Sequence, residues 1–256
     1  MYFIILLLYL KLYKQLSTVL VMLQNLGNTC FINSILQCLH ALPELHVWMD
    51  GTTHSKVLIQ EYNDLRKMMG TGCISPGRFV HTVYTHLPFK RGQQADAHEF
   101  LLYLLDELNC PLFQGKKISY VGTMHLEEPF CTLLLPVRPT LDECMSAYLH
   151  KEEVESEGKI VSKWYEFETL PPLLCIVLKR FTNSNQKNNT TVDIPLQYKD
   201  YELKCVCNHY GGTEGGHYTA TVFTDVWYEY SDAQCRRVHH PSTPHAYCLF
   251  YRKKAA

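Results

Sequence analysis

The hydrophobic period of this chain changes once. From residue 24 to about residue 110 the apolar residues recur at three- and four-residue intervals, and from about residue 130 they gather into short runs of strand type. The clearest helical stretch is "DAHEFLLYLLDEL", residues 96–108, where Ala97, Phe100, Leu101, Leu104, Leu105 and Leu108 share one face. Asp96 and Glu99 suit its first turn, and Pro111 ends it. The strand-type runs are "CTLLLPV", "LLCIVLKRF", "YELKCVCN", "GHYTATVF", "VWYEYS" and "AYCLFY". The segment "LLCIVL" is apolar on both sides and predicts a central strand. "HKEEVESEGK" at 150–159 and "TNSNQKNNTT" at 182–191 read as solvated segments, the second a polar loop. The pattern predicts an α+β fold, a helical lobe followed by a sheet lobe, with a cleft between them as the place for a site.

With 256 residues, 46% of them hydrophobic, the chain can bury a full core. A formal net charge of -1 supplies no global basic field, which argues against nucleic acid as a principal partner. The eleven cysteines are odd in number and contain no Cys-x-x-Cys pair. Reduced thiols of an intracellular compartment fit that pattern, and a structural zinc ribbon does not. At the N-terminus "YFIILLLYL" is followed by Lys11 and Lys14 and by a second apolar stretch, Val19 to Leu23. Nine apolar residues fall short of the roughly 20 that span a bilayer. The segment therefore reads as a membrane anchor, as a buried element of the fold, or as a signal peptide, the last disfavoured because no basic residue precedes the apolar run.

Within "GNTCFINSILQCLH", residues 27–40, Cys30 stands directly ahead of a run in which Phe31, Ile32, Ile35, Leu36, Leu39 and Leu42 recur with helical spacing. Thr29 or Asn28 can cap that helix, which leaves Cys30 in the first turn, where free backbone N–H groups favour a thiolate. A thiol nucleophile needs a histidine to receive and return its proton, a polar group to orient that histidine, and donors for the oxyanion. His217 lies behind Gly215 and Gly216 at the start of a strand, and Ser231 and Asp232 end the next one. Asn25 can aim its amide at an oxyanion beside Cys30.

"LQNLGNTCFINSILQCL", "QQADAHEFLLYLLDEL", "LPPLLCIVLKRF", "NHYGGTEGGHYTATVF", "WYEYSD" and "AYCLFYRK" occur in this order, and together they resemble the sequence boxes of the ubiquitin-specific proteases, papain-like cysteine deubiquitinases. The resemblance implies a helical thumb, an antiparallel β palm and fingers that hold the ubiquitin globule. It divides the chain into an apolar N-terminal segment, residues 1–21, a catalytic domain, residues 22–252, and a tail, residues 253–256. It implies Cys30 as nucleophile, His217 as general base and acid, Ser231 or Asp232 as the residue that orients the histidine, and Asn25 as the oxyanion side chain. Gln94, Asp96, Glu99, His209, Gly216 and Tyr218 match positions that hold ubiquitin's C-terminal tail. No cofactor or metal is expected. Ubiquitin and ubiquitinated proteins are the implied partners, with the chain acting as a monomer.

Three departures from the family pattern stand out. Ala95 separates the glutamines from Asp96, so Gln94 takes the outer glutamine position. The finger stretches "ISYVGTMHLEEPF" and "SEGKIVSKWYEF" lack cysteine pairs, so short fingers without zinc are expected. Serine at 231, in place of Asp or Asn, is similar to the family's mitochondrial-membrane branch, as is an apolar N-terminus. That likeness implies the cytosolic face of a membrane, the outer mitochondrial membrane first. Two other functions stay open, a ubiquitin-binding scaffold with weak or no catalysis and a protease for another ubiquitin-like modifier.

Overall fold

The computed structural model describes residues 20–254 apart from 71, 157, 182–185 and 242–243. The chain enters through strand β1 (Val21–Leu23) and helices α1 (Cys30–His40), α2 (Pro43–Asp50) and α3 (Val57–Met68). Strand β2 (Gly72–Ile74) and helices α4 (Gly77–His86) and α5 (Ala97–Leu108) follow. After a 3₁₀ turn at Pro111–Phe113 come β3 (Gly115–Val121), β4 (Met124–Phe130), β5 (Leu133–Pro136) and α6 (Leu141–Leu149). The rest is strands: β6 (Glu152–Ser156), β7 (Lys159–Thr169), β8 (Leu173–Lys179), β9 (Gln197–Tyr198), β10 (Tyr201–Gly211), β11 (Gly216–Phe223), β12 (Trp227–Ser231), β13 (Gln234–Val238) and β14 (Ala246–Lys253).

These elements form two compact units that do not divide where the hydrophobic period changes. The first takes the described residues up to Asn109 together with Lys204–Pro241, so three strands and most of a fourth return to the helical part of the chain. In it, strands β13, β12, β11 and β10 pair antiparallel in that order, and α1 packs against β11. Cys205 Sγ lies 3.3 Å from the Cys38 carbonyl and Cys207 Sγ 3.5 Å from Ser34 Oγ, which seats α1 on the sheet. On its other flank Phe31 meets Phe89 and the edge of Phe100 at 5.5 and 5.8 Å between ring centres. Every catalytic candidate, on helix or on strand, lies in this one unit.

Helix α5 buries Ala97, Phe100, Leu101, Leu104, Leu105 and Leu108, the face its spacing predicts. Asp96 caps it, accepting from the His98 and Glu99 backbone N–H groups at 2.6 and 3.3 Å, which contributes about 1 kcal/mol. Its C-terminus is set by Asn109 in the left-handed region rather than by Pro111.

The second unit comprises Cys110–Leu203 and the described residues after Pro241. One of its sheets is antiparallel in the order β4, β3, β7, β6. In the other, β8 is buried from Leu173 to Leu178 and lies between β14 and β5. The β5–β8 pair is parallel, a departure from the expected antiparallel palm, and α6 belongs to the long connection that such a pair requires.

Three further expectations are corrected. Residues 152–156 of the segment read as solvated form the edge strand β6, whose glutamates occupy its exposed positions and discourage pairing with another chain. The boundary drawn after residue 21 falls inside β1, since Val21 and Leu23 are buried, β1 pairs with β2, and Gln37 Nε2 donates to the Val21 carbonyl at 2.7 Å. Likewise β14 runs through Lys253, one residue into the expected tail. The N-terminal apolar segment up to residue 19, and residues 182–185 of the polar loop, lie outside the described residues. Among the described residues no helix is long and apolar enough to cross a membrane.

Candidate active site

Before α1 the backbone must reverse sharply, and Gly27 and Asn28 do this in the left-handed region at φ 98° and 56°. Thr29 takes the N-cap position, but its hydroxyl accepts from the Leu26 N–H at 2.9 Å instead of from the helix. Its carbonyl receives the first helical N–H, from Asn33, at 2.9 Å. Cys30 is therefore the first residue of α1 and is 4% exposed.

Helix position alone favours a thiolate, yet the Cys30 thiol is pushed up from its ordinary value. Burial is the main cause, the backbone N–H of Tyr218 works against it, and the Asp232 charge adds to it. Desolvation outweighs the Tyr218 and Phe31 backbone donors. Burial therefore works against a thiolate here, and a nearby base able to take the proton would favour one.

The candidate for that base, His217, lies on β11. The Nε2 of His217 is 2.8 Å from Oγ of Ser231, the last residue of β12. Gly216, just ahead, passes so close to β10 that a Cβ there would strike the His209 ring and the Tyr210 carbonyl. Asp232 follows Ser231 with φ 50°, so the chain turns and the two side chains take different partners. Its carboxylate accepts from Asn25 Nδ2 at 2.8 Å and from Asn33 Nδ2 at 2.8 Å. The other end of the Asn25 amide is held as well, Oδ1 accepting from the N–H groups of Gly27 at 3.0 Å and Thr29 at 3.2 Å. Asn25 is thus fixed in orientation below the start of α1, with one Nδ2 hydrogen left to donate.

The remaining candidates spread over the same unit. Gln94 pairs edge to edge with the Gly216 peptide, donating from Nε2 to its carbonyl and accepting its N–H at Oε1, each at 2.9 Å. His209 and Tyr218 face each other across β10 and β11 with ring centres 4.6 Å apart, both buried. Asp96 is the α5 cap, and Glu99 in the first turn is exposed. Asn33 was not among the candidates, although its place three residues after Cys30, on the same face of a helix, marks it as a neighbour of the site. Among the described residues no three His, Cys, Asp or Glu side chains converge to hold a metal ion.

The chain is similar to known proteins over most of its length. The chain is similar to human ubiquitin carboxyl-terminal hydrolase 2, 26% identical over 90% of this chain and 54% of the relative. It also matches a probable ubiquitin carboxyl-terminal hydrolase 8 of Schizosaccharomyces pombe, 25% identical over 91% of this chain and 64% of that protein. The chain spans between about half and two thirds of the length of these relatives. Its fold is that of a chain in the SAGA Ubp8/Sgf11/Sus1/Sgf73 DUB module bound to ubiquitin aldehyde, with a TM-score of 0.80 at 21% identity over 92% of this chain and 70% of that one. A helix-borne cysteine, a strand-borne histidine and a pattern common to residues 21–251 lead to one conclusion: the chain belongs to the ubiquitin carboxyl-terminal hydrolase family.

Proposed function

We propose that this chain is a thiol-dependent deubiquitinase that hydrolyses the bond after the C-terminal glycine of ubiquitin on proteins or chains, acting as a monomer. The observation that carries this is the 2.8 Å contact of His217 with Ser231 in the unit where Asn25 is locked onto the turn that precedes Cys30. With Nε2 engaged by Ser231, Nδ1 is the ring nitrogen left to take the Cys30 proton. The thiolate attacks the glycine carbonyl, a C–S bond forms, and the oxyanion is met by the free Nδ2 hydrogen of Asn25. Collapse breaks the C–N bond as His217 returns its proton to the leaving lysine amine. Water, deprotonated by His217, then attacks the thioester, releasing the ubiquitin carboxylate and restoring the thiol.

In this reading the Gln94–Gly216 pair and the His209–Tyr218 pair border the channel for the ubiquitin tail, and Asp96 and Glu99 offer carboxylates to its arginines. The test is treatment of the purified chain with ubiquitin bearing a C-terminal electrophile. One adduct at Cys30, absent in Cys30→Ala, supports the hydrolase. Binding without an adduct makes the chain a scaffold, and an adduct formed only with another ubiquitin-like protein reassigns the modifier. The serine at 231 and the apolar run at residues 2–10 support placement on an intracellular membrane, the outer mitochondrial membrane first. A reporter fused to residues 1–25 that stays soluble would remove that placement.

A further inference from the structure

His217 follows a pliant stretch of chain. Four of the six residues of the hairpin 211–216, where β10 turns into β11, are glycine, the residue that gives up most conformational freedom on ordering. The pairing of β11 with β12 runs from Phe223 opposite Trp227 to Ala220 opposite Tyr230, so it stops short of His217. A loop between α4 and α5 holds this start of β11 instead. Gln94 bonds both the N–H and the C=O of Gly216, and that carbonyl belongs to the peptide bond linking Gly216 to His217. Two residues before Gln94, the Gly92 carbonyl accepts from Asn28 Nδ2 at 2.7 Å. Asn28 lies in the turn that the Asn25 side chain holds and that leads, two residues on, to Cys30. The loop is itself anchored. Gln93 N–H donates to the Lys90 carbonyl at 3.1 Å, and the chain then enters the Asp96 cap of α5, whose Phe100 meets Phe31 next to Cys30.

We propose that residues 92–94 form a strap between the turn that carries Cys30 and the strand that carries His217, and that Asn28 and Gln94, its two anchors, are positioning residues that set the geometry for proton transfer. This rests on the Cys30–His217 hydrolase reading above. The anchors act in series. Asn28 ties the strap to the nucleophile side and Gln94 carries that hold to the base side, so releasing either one frees the start of β11. The Gln94 amide suits its place because its donor and acceptor lie side by side, matching the C=O and N–H of one extended residue. A carboxylate there would offer two acceptors and set one against the Gly216 carbonyl. Packing of α1 on β11 holds the strand as a whole, whereas the strap acts on the residue directly before the base. Reaction rates are sensitive to such a hold, since a misplacement of about 1 Å can cost on the order of 10²-fold.

Hydrolysis of a ubiquitin–coumarin conjugate by the purified chain tests this through kcat, KM and pH. Gln94→Ala and Asn28→Gly, the latter accepting φ 56° without strain, are each expected to lower kcat about 5- to 50-fold with KM within about twofold. The double variant should lose little more than either single one, because a strap cut at one anchor transmits nothing through the other. In Gln94→Glu the introduced carboxyl can donate as well as accept only when protonated. The ratio of its rate to that of the wild type should therefore rise about twofold or more as the pH falls from about 7 to about 5. That ratio decides the matter alone if Asn28→Gly does not fold. Losses that multiply in the double variant, or a ratio that stays flat, would overturn the proposal. So would a loss confined to KM, which makes Gln94 a contact of the ubiquitin tail, or a faster Gln94→Ala enzyme, which makes the strap a latch that the tail displaces. Each of these outcomes leaves the hydrolase reading intact. A wild-type chain with no hydrolysis and no Cys30 adduct with the ubiquitin electrophile would overturn both.

Discussion

Asp232→Asn should separate the acidity of the nucleophile from the rate of the reaction. Asparagine is well suited to φ 50°, so the turn after β12 survives the change. Its amide cannot replace the carboxylate, because two donors, Asn25 Nδ2 and Asn33 Nδ2, approach the two oxygens at 2.8 Å each. One of them must then meet an NH₂ group. Hydrogen bonds to a charged acceptor contribute about 1.5–3 kcal/mol each, so the orientation of Asn25 loosens by a comparable amount. A poorly aimed oxyanion donor should lower kcat about 10- to 100-fold, or roughly 1.4–2.7 kcal/mol of barrier, with KM within about threefold. The charge of Asp232 also raises the Cys30 thiol, so its removal makes Cys30 more acidic. Iodoacetamide should therefore alkylate Cys30 faster at neutral pH in the variant while ubiquitin–coumarin hydrolysis slows. A parallel fall of both rates would show that Asp232 holds the fold of the site and not the Asn25 amide, and an unchanged kcat would remove Asn25 from the oxyanion role.

Ser231→Ala should lower kcat by about one to three orders of magnitude, whereas Ser231→Asp should be tolerated or faster, both measured on the same conjugate. Gly216→Ala drives a Cβ into the His209 ring and the Tyr210 carbonyl, so hydrolysis and the thermal midpoint should both drop. Stability should also fall in acid through buried histidines. His40 and His46 are held down to about 3 and about 4 chiefly by burial, and Arg66 lies against His46 Nδ1 at 3.1 Å. The unfolded chain binds these protons near pH 6.5 and the folded one far lower, so stability present above pH 6.5 is lost as the pH falls from there toward about 4. Thermal melts across that window should show the decline, and His46→Gln, whose amide oxygen can still accept from Arg66, should flatten it.

What the chain determines locally can be traced to periodicity and caps. The buried face of α5, its Asp96 cap and the wholly apolar β8 follow from contacts within a few residues, which sequence spacing records directly. Ordered motifs likewise suffice to place Cys30, His217 and Ser231 in one family pattern. The tertiary structure alone decides that residues 204–241 return to the helical unit, because pairing β11 with α1 depends on side chains nearly two hundred residues apart. It alone turns the Thr29 hydroxyl away from the helix it precedes and pushes the Cys30 thiol up against the pull of the Tyr218 and Phe31 backbone donors, since desolvation is set by whatever packs over the sulfur. The division of labour between Ser231 and Asp232 is decided in the same way. Two adjacent residues on a straight strand would point to opposite faces, and a left-handed turn at Asp232 instead sends one side chain to His217 and the other to Asn25 and Asn33.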